Sequence, residues 1–370
     1  MKQCYYISIT DLEDISQGVT KKINSQIDIF SEYWICNSIY AKHSEVILKK
    51  QKKYIYPIKN RIQKRLKLMS VLYENIKKDN EHSIQTDFIY IRYFKSDFCF
   101  LYFLKKIKNI SNSKIIIEIP TYPYDQEIKG GLLSKLDKLF RNFLYRYVDY
   151  IVTFSNDKKI FKVPCINISN GINLLENKIV DKKIKSKNLI EFTSVSTVMS
   201  HHGIDRFLYS IEHYLEQYKS TDSNLKIKFN IIGEGSETVK LKEIVARSSY
   251  LKEVVIFHGF KSGKELDDIY NRTDIAVGSL GIHRIGLKEV QPLKNREYTA
   301  KGLPFIISFK DPDFENQHFV FKVTNDESLI DIKSLIDWYY SNEFLPRDIN
   351  KYAEKFSWDK QMKKVIEYLE

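Results

Sequence analysis

Residues 278–308 read G-S-L-G-I-H-R-I-G-L-K-E-V-Q-P-L-K-N-R-E-Y-T-A-K-G-L-P-F-I-I-S. The segment parses as a loop, a helix and a buried strand. Glu297, Ala300 and Lys301 ride on the helix, Gly302 stops it, and Phe305-Ile306-Ile307 beyond Pro304 is an apolar run of strand length. A helix handing the chain to a strand is half of a parallel unit, so this stretch predicts an α/β domain. Glu289 and Glu297 stand seven residues apart, and Lys294 and Arg296 lie where the helix begins. Free backbone N–H groups at such a position favour an anion. In a chain with 47 acidic residues an E-x7-E pair alone carries little weight, and the surrounding sequence has to decide.

A chain of 370 residues is long for one core and suits two domains. A hydrophobic content of 43% with 25 Tyr and 22 Phe argues for folded structure over disorder. Cys4, Cys36, Cys99 and Cys165 lie far apart, with no C-x-x-C and no His at zinc-ligand spacing, as in a reduced cytoplasmic protein. No apolar run approaches the roughly 20 residues that span a bilayer. The net charge of +12 lies wholly in residues 1–180, where 30 Lys and Arg face 18 Asp and Glu; the remainder is balanced. That half can face an anionic partner, be it nucleic acid, lipid headgroups or a diphosphate.

Cys4 to Ile9 reads as a first strand, and Val19, Ile23, Ile27 and Phe30 form a helical stripe after a polar loop ending at Gly18. Gly18 serves either a plain turn or close approach of backbone to a ligand. Over residues 42–67, Lys42, Lys49, Lys50, Lys52, Lys53, Lys59, Arg61, Lys64, Arg65 and Lys67 stand against Glu45 alone. With Ile62, Leu66, Met69, Tyr73 and Ile76 at helical spacing, this reads as a basic amphipathic segment, either a solvated face or an attachment to anionic lipid. No zinc-finger, RRM or KH pattern supports nucleic acid. Strands at Asp87–Ile91, Ile115–Ile117 and Tyr150–Thr153 alternate with helices around 98–107 and 132–147, which predicts a parallel sheet with ligands beyond its carboxyl edge. Glu118 to Asp125, with Tyr122, then border a site or a plain turn.

Turn residues followed by charge place a linker near 172–187, between domains of 1–175 and 185–348, and a closing helix over 349–370 is placed to return to the first domain. In the second domain, Leu189–Val195 leads to a polar loop with His202, Gly203 and Arg206 at a helix start, where a phosphate could sit. Ile227–Ile232 meets G-E-G at 233–235, Val254–Phe257 meets His258-Gly259-Phe260, and Ile275–Val277 opens the stretch quoted first. Asp311-Pro312-Asp313 has the form of a metal-binding D-x-D, but its proline and its place after the last expected strand favour a turn.

With these pieces in order the chain resembles the retaining GT-B glycosyltransferases of the E-x7-E group, glycosyltransferase family 4-like, which includes capsule and exopolysaccharide transferases. The resemblance rests on H-H-G-I-D-R (201–206), I-I-G-E-G (231–235), V-I-F-H-G-F (255–260) and P-L-K-N-R-E-Y-T-A-K-G-L-P-F-I (292–306). In the first half it rests on I-Y-I-R-Y (89–93), E-I-P-T-Y-P-Y-D-Q-E (118–127) and S-N-G-I (169–172). It implies an α/β chain of two Rossmann-like domains facing a central cleft, the second holding a nucleotide diphosphate sugar. Glu297 would accept from the ribose hydroxyls, Glu289 would meet the transferred sugar, and Lys294 with backbone near Leu293 would meet the diphosphate. The base would rest on Gly259 and Phe260. His283 and Arg284 in the preceding loop are further donor-side candidates. Where relatives often carry an arginine and a lysine, Ser196 and His202 stand here, so His202 and Arg206 become alternative phosphate contacts. Glu118 and Tyr122 stand where many relatives place a catalytic histidine. Retention through front-face attack requires neither metal nor cofactor.

The function expected is retaining transfer of a sugar to a growing glycan, on a lipid-linked oligosaccharide for a capsule or exopolysaccharide. The protein is then cytoplasmic, peripheral on the inner face of the cell membrane through residues 42–67, with no nucleic-acid partner. The alternatives are a sugar-nucleotide epimerase or a soluble-acceptor transferase on the same scaffold, or a non-catalytic glycan-binding or partner protein.

Overall fold

The computed structural model describes residues 2–14, 18–58, 61–124, 132–174, 177–181, 185–186, 188–218 and 225–370. Asp125, Lys59 and parts of the expected linker (175–176, 182–184 and 187) lie outside them. The chain divides into two compact units, Met1–Gly171 with Trp358–Glu370, and Ile172–Ser357.

The first unit is built on a nine-stranded sheet. Its strands are β1 (Gln3–Ser8), β2 (Ile35–Lys42), β3 (Glu45–Lys49), β4 (Lys53–Pro57), β5 (Thr86–Arg92), β6 (Lys114–Ile119), β7 (Tyr150–Thr153), β8 (Lys159–Ile160) and β9 (Val163–Asn167). They lie in the order β4-β3-β2-β1-β5-β6-β7-β9-β8, with parallel pairing from β2 through β9 and antiparallel pairing only at the two edges. Runs such as Ile115-Ile116-Ile117 are fully buried on both faces, as the centre of a parallel sheet requires. Helices Gly18–Tyr33, Arg61–Glu81 and Phe98–Ile110 cover it.

Residues 42–67 are not one helix. Their first part folds back as the meander of β2, β3 and β4, and the helix begins at Arg61. Val46, Ile47 and Leu48 are buried, whereas Lys49 and Gln51 to Lys53 form the exposed tip around a partly buried Lys50, so the lysine run marks a tight turn and hides two short strands. Several of these charges are already paired: Lys42 and Lys53 meet Glu13, and Lys50 meets Asp79 at 3.0 Å. The buried stripe of the helix is Leu68, Met69, Val71, Leu72 and Ile76, and Leu66, expected on that stripe, is exposed.

The second unit carries a six-stranded parallel sheet of β10 (Leu189–Val195), β11 (Lys226–Ile232), β12 (Val255–Gly259), β13 (Ile275–Val277), β14 (Phe305–Ile307) and β15 (Val320–Lys322). Their order is β12-β11-β10-β13-β14-β15. β15 follows Asp311-Pro312-Asp313, so that triplet is not beyond the last strand. It is a 3₁₀ turn in which Asp311 accepts from the Asp313 N–H. The expected single helix over 349–370 is two, Pro346–Ala353 in the second unit and Trp358–Ile366 in the first. The break falls at Ser357, whose extended ψ of 140° no helix admits.

Candidate active site

In the second unit β11 and β12 lie on one side of β10, and β13 to β15 on the other. The strand order therefore reverses between β10 and β13, and ligands of open parallel sheets bind beyond the carboxyl ends of the strands at such a point. The loops there are residues 196–203 after β10 and 278–292 after β13. Backbone bonds join them, from Leu280 N–H to His202 O at 2.9 Å and from Gly281 N–H to His201 O at 3.3 Å. Contact this close needs glycine. A Cβ on Gly203, whose φ is +62°, would stand 2.6 Å from Gly281 N, and one on Gly233, at φ +108°, would stand 2.0 Å from Ser196 O.

The helix Leu293–Lys301 starts at this edge, with Pro292 at its N-cap and Gly302 ending it at φ +79°. Lys294 in its first turn is the distinctive group. Its stem is partly exposed, but Nζ is buried and has no hydrogen-bond partner among the described residues. Burial lowers its pKa to about 7, against the opposing pull of Glu297. An unpaired buried ammonium is costly, and it fits a place where an anion completes the structure. Ser196 Oγ at the end of β10 is likewise buried without a partner among the described residues.

His202 Nδ1 accepts from the Met199 N–H at 3.3 Å. Burial, with Lys294 and His201 nearby, depresses its pKa to about 2, so the ring is neutral and offers at most one N–H. His201, which no motif in the sequence singles out from its neighbour, shares the field of Lys294 and is also shifted down, chiefly by burial.

Arg206 is not available to a phosphate. Its side chain is turned inward, and its guanidinium donates to Ser328 O, Leu280 O and Thr324 O at 2.7–3.0 Å. It buttresses the loop after β13. His283 and Arg284 also brace that loop: both contact Glu327, and Arg284 also reaches Asp205 Oδ1 and Ser200 O at 2.8 Å. Glu327 lies 43 residues from Arg284, and no local signal in the sequence pairs them.

Glu289 pairs through its backbone with Lys310 in a parallel bridge. Its carboxylate is 40% exposed, 3.3 Å from Lys310 Nζ. Glu297 is partly buried one turn after Lys294, and Leu293 packs on the core containing Tyr298 and Phe305. At the end of β12, Gly259 adopts φ +65° and Phe260 is 66% exposed.

Two first-unit candidates differ in standing. Glu118 is fully buried, and its oxygens accept from Lys22, Arg92, Tyr90 and Gln26 at 2.7–2.9 Å. The assignment of Glu118 as a catalytic contact is therefore corrected: with its oxygens occupied and no exposed surface, it holds its neighbours in place. Tyr122 remains partly exposed on the loop after β6, its ring 5.7 Å from that of Phe161. Gly18 is exposed at the start of its helix.

Residues 175–356 match the family model described as glycosyl transferases group 1. A comparison with curated proteins gives no match. Among solved structures, a glycosyltransferase from Rickettsia africae ESF-5 is similar over 100% of this chain and 97% of its own, at 13% identity and a TM-score of 0.65. The trehalose-6-phosphate protein of E. coli bound with UDP-2-fluoro glucose is similar over 99% and 98%, at 13% identity and 0.67. Anabaena Alr3699/HepE in complex with UDP is similar over 100% and 99%, at 12% identity and 0.64. The two Rossmann-like units are those of the GT-B fold.

Proposed function

We propose that this chain, whose residues 175–356 match the glycosyl transferases group 1 model, moves a sugar from a nucleotide diphosphate donor to a growing glycan. The observation that carries the reading is the buried ammonium of Lys294, with no hydrogen-bond partner among the described residues, at the start of a helix and at the reversal point of a parallel sheet. A diphosphate supplies the missing counter-charge, and the helix N-terminus adds oriented N–H donors. Similar folds are occupied by UDP in Alr3699/HepE and by UDP-2-fluoro glucose in the E. coli protein. Glu297, one turn on, would take the ribose diol with its two acceptor oxygens. Glu289 would stabilise positive charge developing at the anomeric carbon, with Tyr122 a further contact to the sugar. His202 would offer a neutral N–H to the departing phosphate, and the base would rest at Gly259 and Phe260. In this scheme the reaction retains configuration and needs no metal.

A thermal-shift screen of UDP-, GDP- and ADP-sugars tests the reading. A donor at 100 times its dissociation constant stabilises by about 2.7 kcal/mol. Lys294→Gln should weaken that donor about 10–100-fold, the scale of one charge-assisted contact. The donor should also take up a proton. Below pH 7 Lys294 is charged before the donor arrives. Above it a proton must be acquired on binding, so affinity falls as pH rises, by up to about tenfold per unit. Calorimetry at pH 8 in buffers of different ionisation enthalpy reads this directly, and a binding enthalpy independent of the buffer would refute it.

The acceptor we propose is a lipid-linked oligosaccharide for a capsule or exopolysaccharide, reached from the inner face of a membrane. Its support is the charge of residues 1–180 and the exposed Leu66 between Lys64 and Lys67. No helix among the described residues is long and apolar enough to cross a bilayer. The protein should float with vesicles containing anionic lipid and not with neutral ones. Equal recovery from both, or from neither, would remove the membrane from the proposal.

A further inference from the structure

In the first unit the strand order also reverses, with β2 on one side of β1 and β5 on the other. Arg92 is the last residue of β5, and Glu118, its register partner on β6, lies at the same carboxyl edge. Lys22 comes to Glu118 from the helix that follows β1. Two cations thus share one carboxylate: Lys22 Nζ and Arg92 Nη1 lie 2.9 and 2.7 Å from the same oxygen, Oε1. Tyr90 and Gln26 take Oε2 at 2.7 and 2.8 Å, which leaves Glu118 with two partners on each oxygen. Lys22 is sealed from solvent against the rings of Phe154 and Trp358, 3.7 and 5.6 Å from their centroids. With Lys22 protonated the group carries one positive charge in excess, and burial lowers the pKa of Lys22 to about 7 against the pull of Glu118. Arg92, 14% exposed, is its outlet, and its guanidinium also hydrogen-bonds with the Tyr6 hydroxyl, which leaves further N–H groups for a ligand.

We infer that Arg92, oriented by Glu118 and backed by Lys22, seats an anionic group of the acceptor, a phosphate or a carboxylate. A guanidinium anchored by Glu118 and Tyr6 holds its other N–H groups in a fixed plane, which suits the oxygens of such a group, and the ion pairs among the described residues give the charge behind it no counter-ion besides Glu118. The position obeys the same rule as the donor site, the carboxyl edge of a parallel sheet where strand order reverses. The inference rests on the glycosyl-transfer reading and narrows it: the acceptor is charged, whether as a phosphorylated sugar or as a lipid phosphate. Glu118 and Lys22 are positioning residues.

The test is carried out in full-length Lys294→Gln protein, so that the proposed donor site is silenced. Calorimetric titrations use inorganic phosphate, glucose 6-phosphate and geranyl phosphate. Each probe that binds should lose about 10–100-fold in affinity on adding Arg92→Gln and recover only in part with Arg92→Lys, which keeps the charge and lacks the fork. Lys22 still neutralises Glu118 in both variants, so the fold is retained, and circular dichroism checks it. Preference for glucose 6-phosphate assigns a soluble acceptor, and preference for geranyl phosphate a lipid-linked one. Affinities unchanged by Arg92→Gln for all three probes, or binding by none, overturn the site. No nucleotide is present and nothing turns over, so that failure leaves the donor reading to its own screen.

Discussion

Glu289→Ala is expected to lower kcat about 100–1,000-fold with little change in donor affinity, the loss found when a group that stabilises developing transition-state charge is removed. The residue stands at a place where such a role is feasible. It precedes the helix of Lys294 and Glu297, and its backbone is fixed to Lys310 by a bridge, while its carboxylate stays 40% exposed. Its ionic partner Lys310 is itself about half exposed, so the pair adds little to stability. Alanine should therefore leave the melting temperature near that of the parent, and a fall in rate reads on chemistry rather than on folding. Glu289→Gln, which keeps size and hydrogen bonding but loses charge, should be nearly as impaired. The measurement is steady-state kinetics with the donor found in the screen, beside its dissociation constant for each variant. An alanine variant that transfers sugar as fast as the parent removes Glu289 from the mechanism.

Much of the second unit was legible because its strands are buried on both faces and so appear as unbroken apolar runs. Ile275–Val277 and Phe305–Ile307 coincide with the reading residue for residue. The meander of β2 to β4 escaped it because its turns, His43-Ser44 and Lys50-Gln51-Lys52, and the residues flanking them are all polar, and a lysine-rich tip followed by an apolar helix mimics one amphipathic segment. Site residues divide along a different line. Lys294 and Arg296 stand two apart at one helix start and look equivalent in sequence, yet residues at that spacing point to different sides of a helix. Whether a cation meets a ligand or a distant carboxylate depends on tertiary pairings such as Arg284 with Glu327 or Lys22 with Glu118, 43 and 96 positions apart, which leave no local pattern. Arg206 and Glu118 depart from expectation for that reason: each occupies a position suited to a site, and each is consumed by neighbours the sequence does not announce.

Arg296→Met should cost about 3–5 kcal/mol of stability, the range for breaking a buried ion pair by removing one partner. Arg296 is fully buried beneath the helix that carries Lys294 and Glu297. Its Nη1 and Nη2 hold both carboxylate oxygens of Asp311, and Nη2 also meets Asp313. The guanidinium lies 5.0 and 5.2 Å from the ring centroids of Phe314 and Phe356. Asp311 is fully buried too, and burial already pushes its pKa up against the pull of Arg296. Without the arginine that push is opposed chiefly by the neutral Asn295 amide, which donates to Asp311 at 2.9 Å, and the carboxyl becomes neutral in the folded state at a pH where the unfolded chain ionises it. The folded state then binds more protons than the unfolded one, so stability falls as pH rises through that window. The deficit of Arg296→Met, read from urea midpoints, should thus be smaller at pH 5 than at pH 8. Arg296→Met with Asp311→Asn, which leaves no buried charge behind, should recover a large part of it. A deficit independent of pH and unrelieved by the second change would mean that packing against Phe314 and Phe356, and not the ion pair, fixes this helix. Such a result would also change the account of the donor site, because the same pair ties down the helix that carries Lys294.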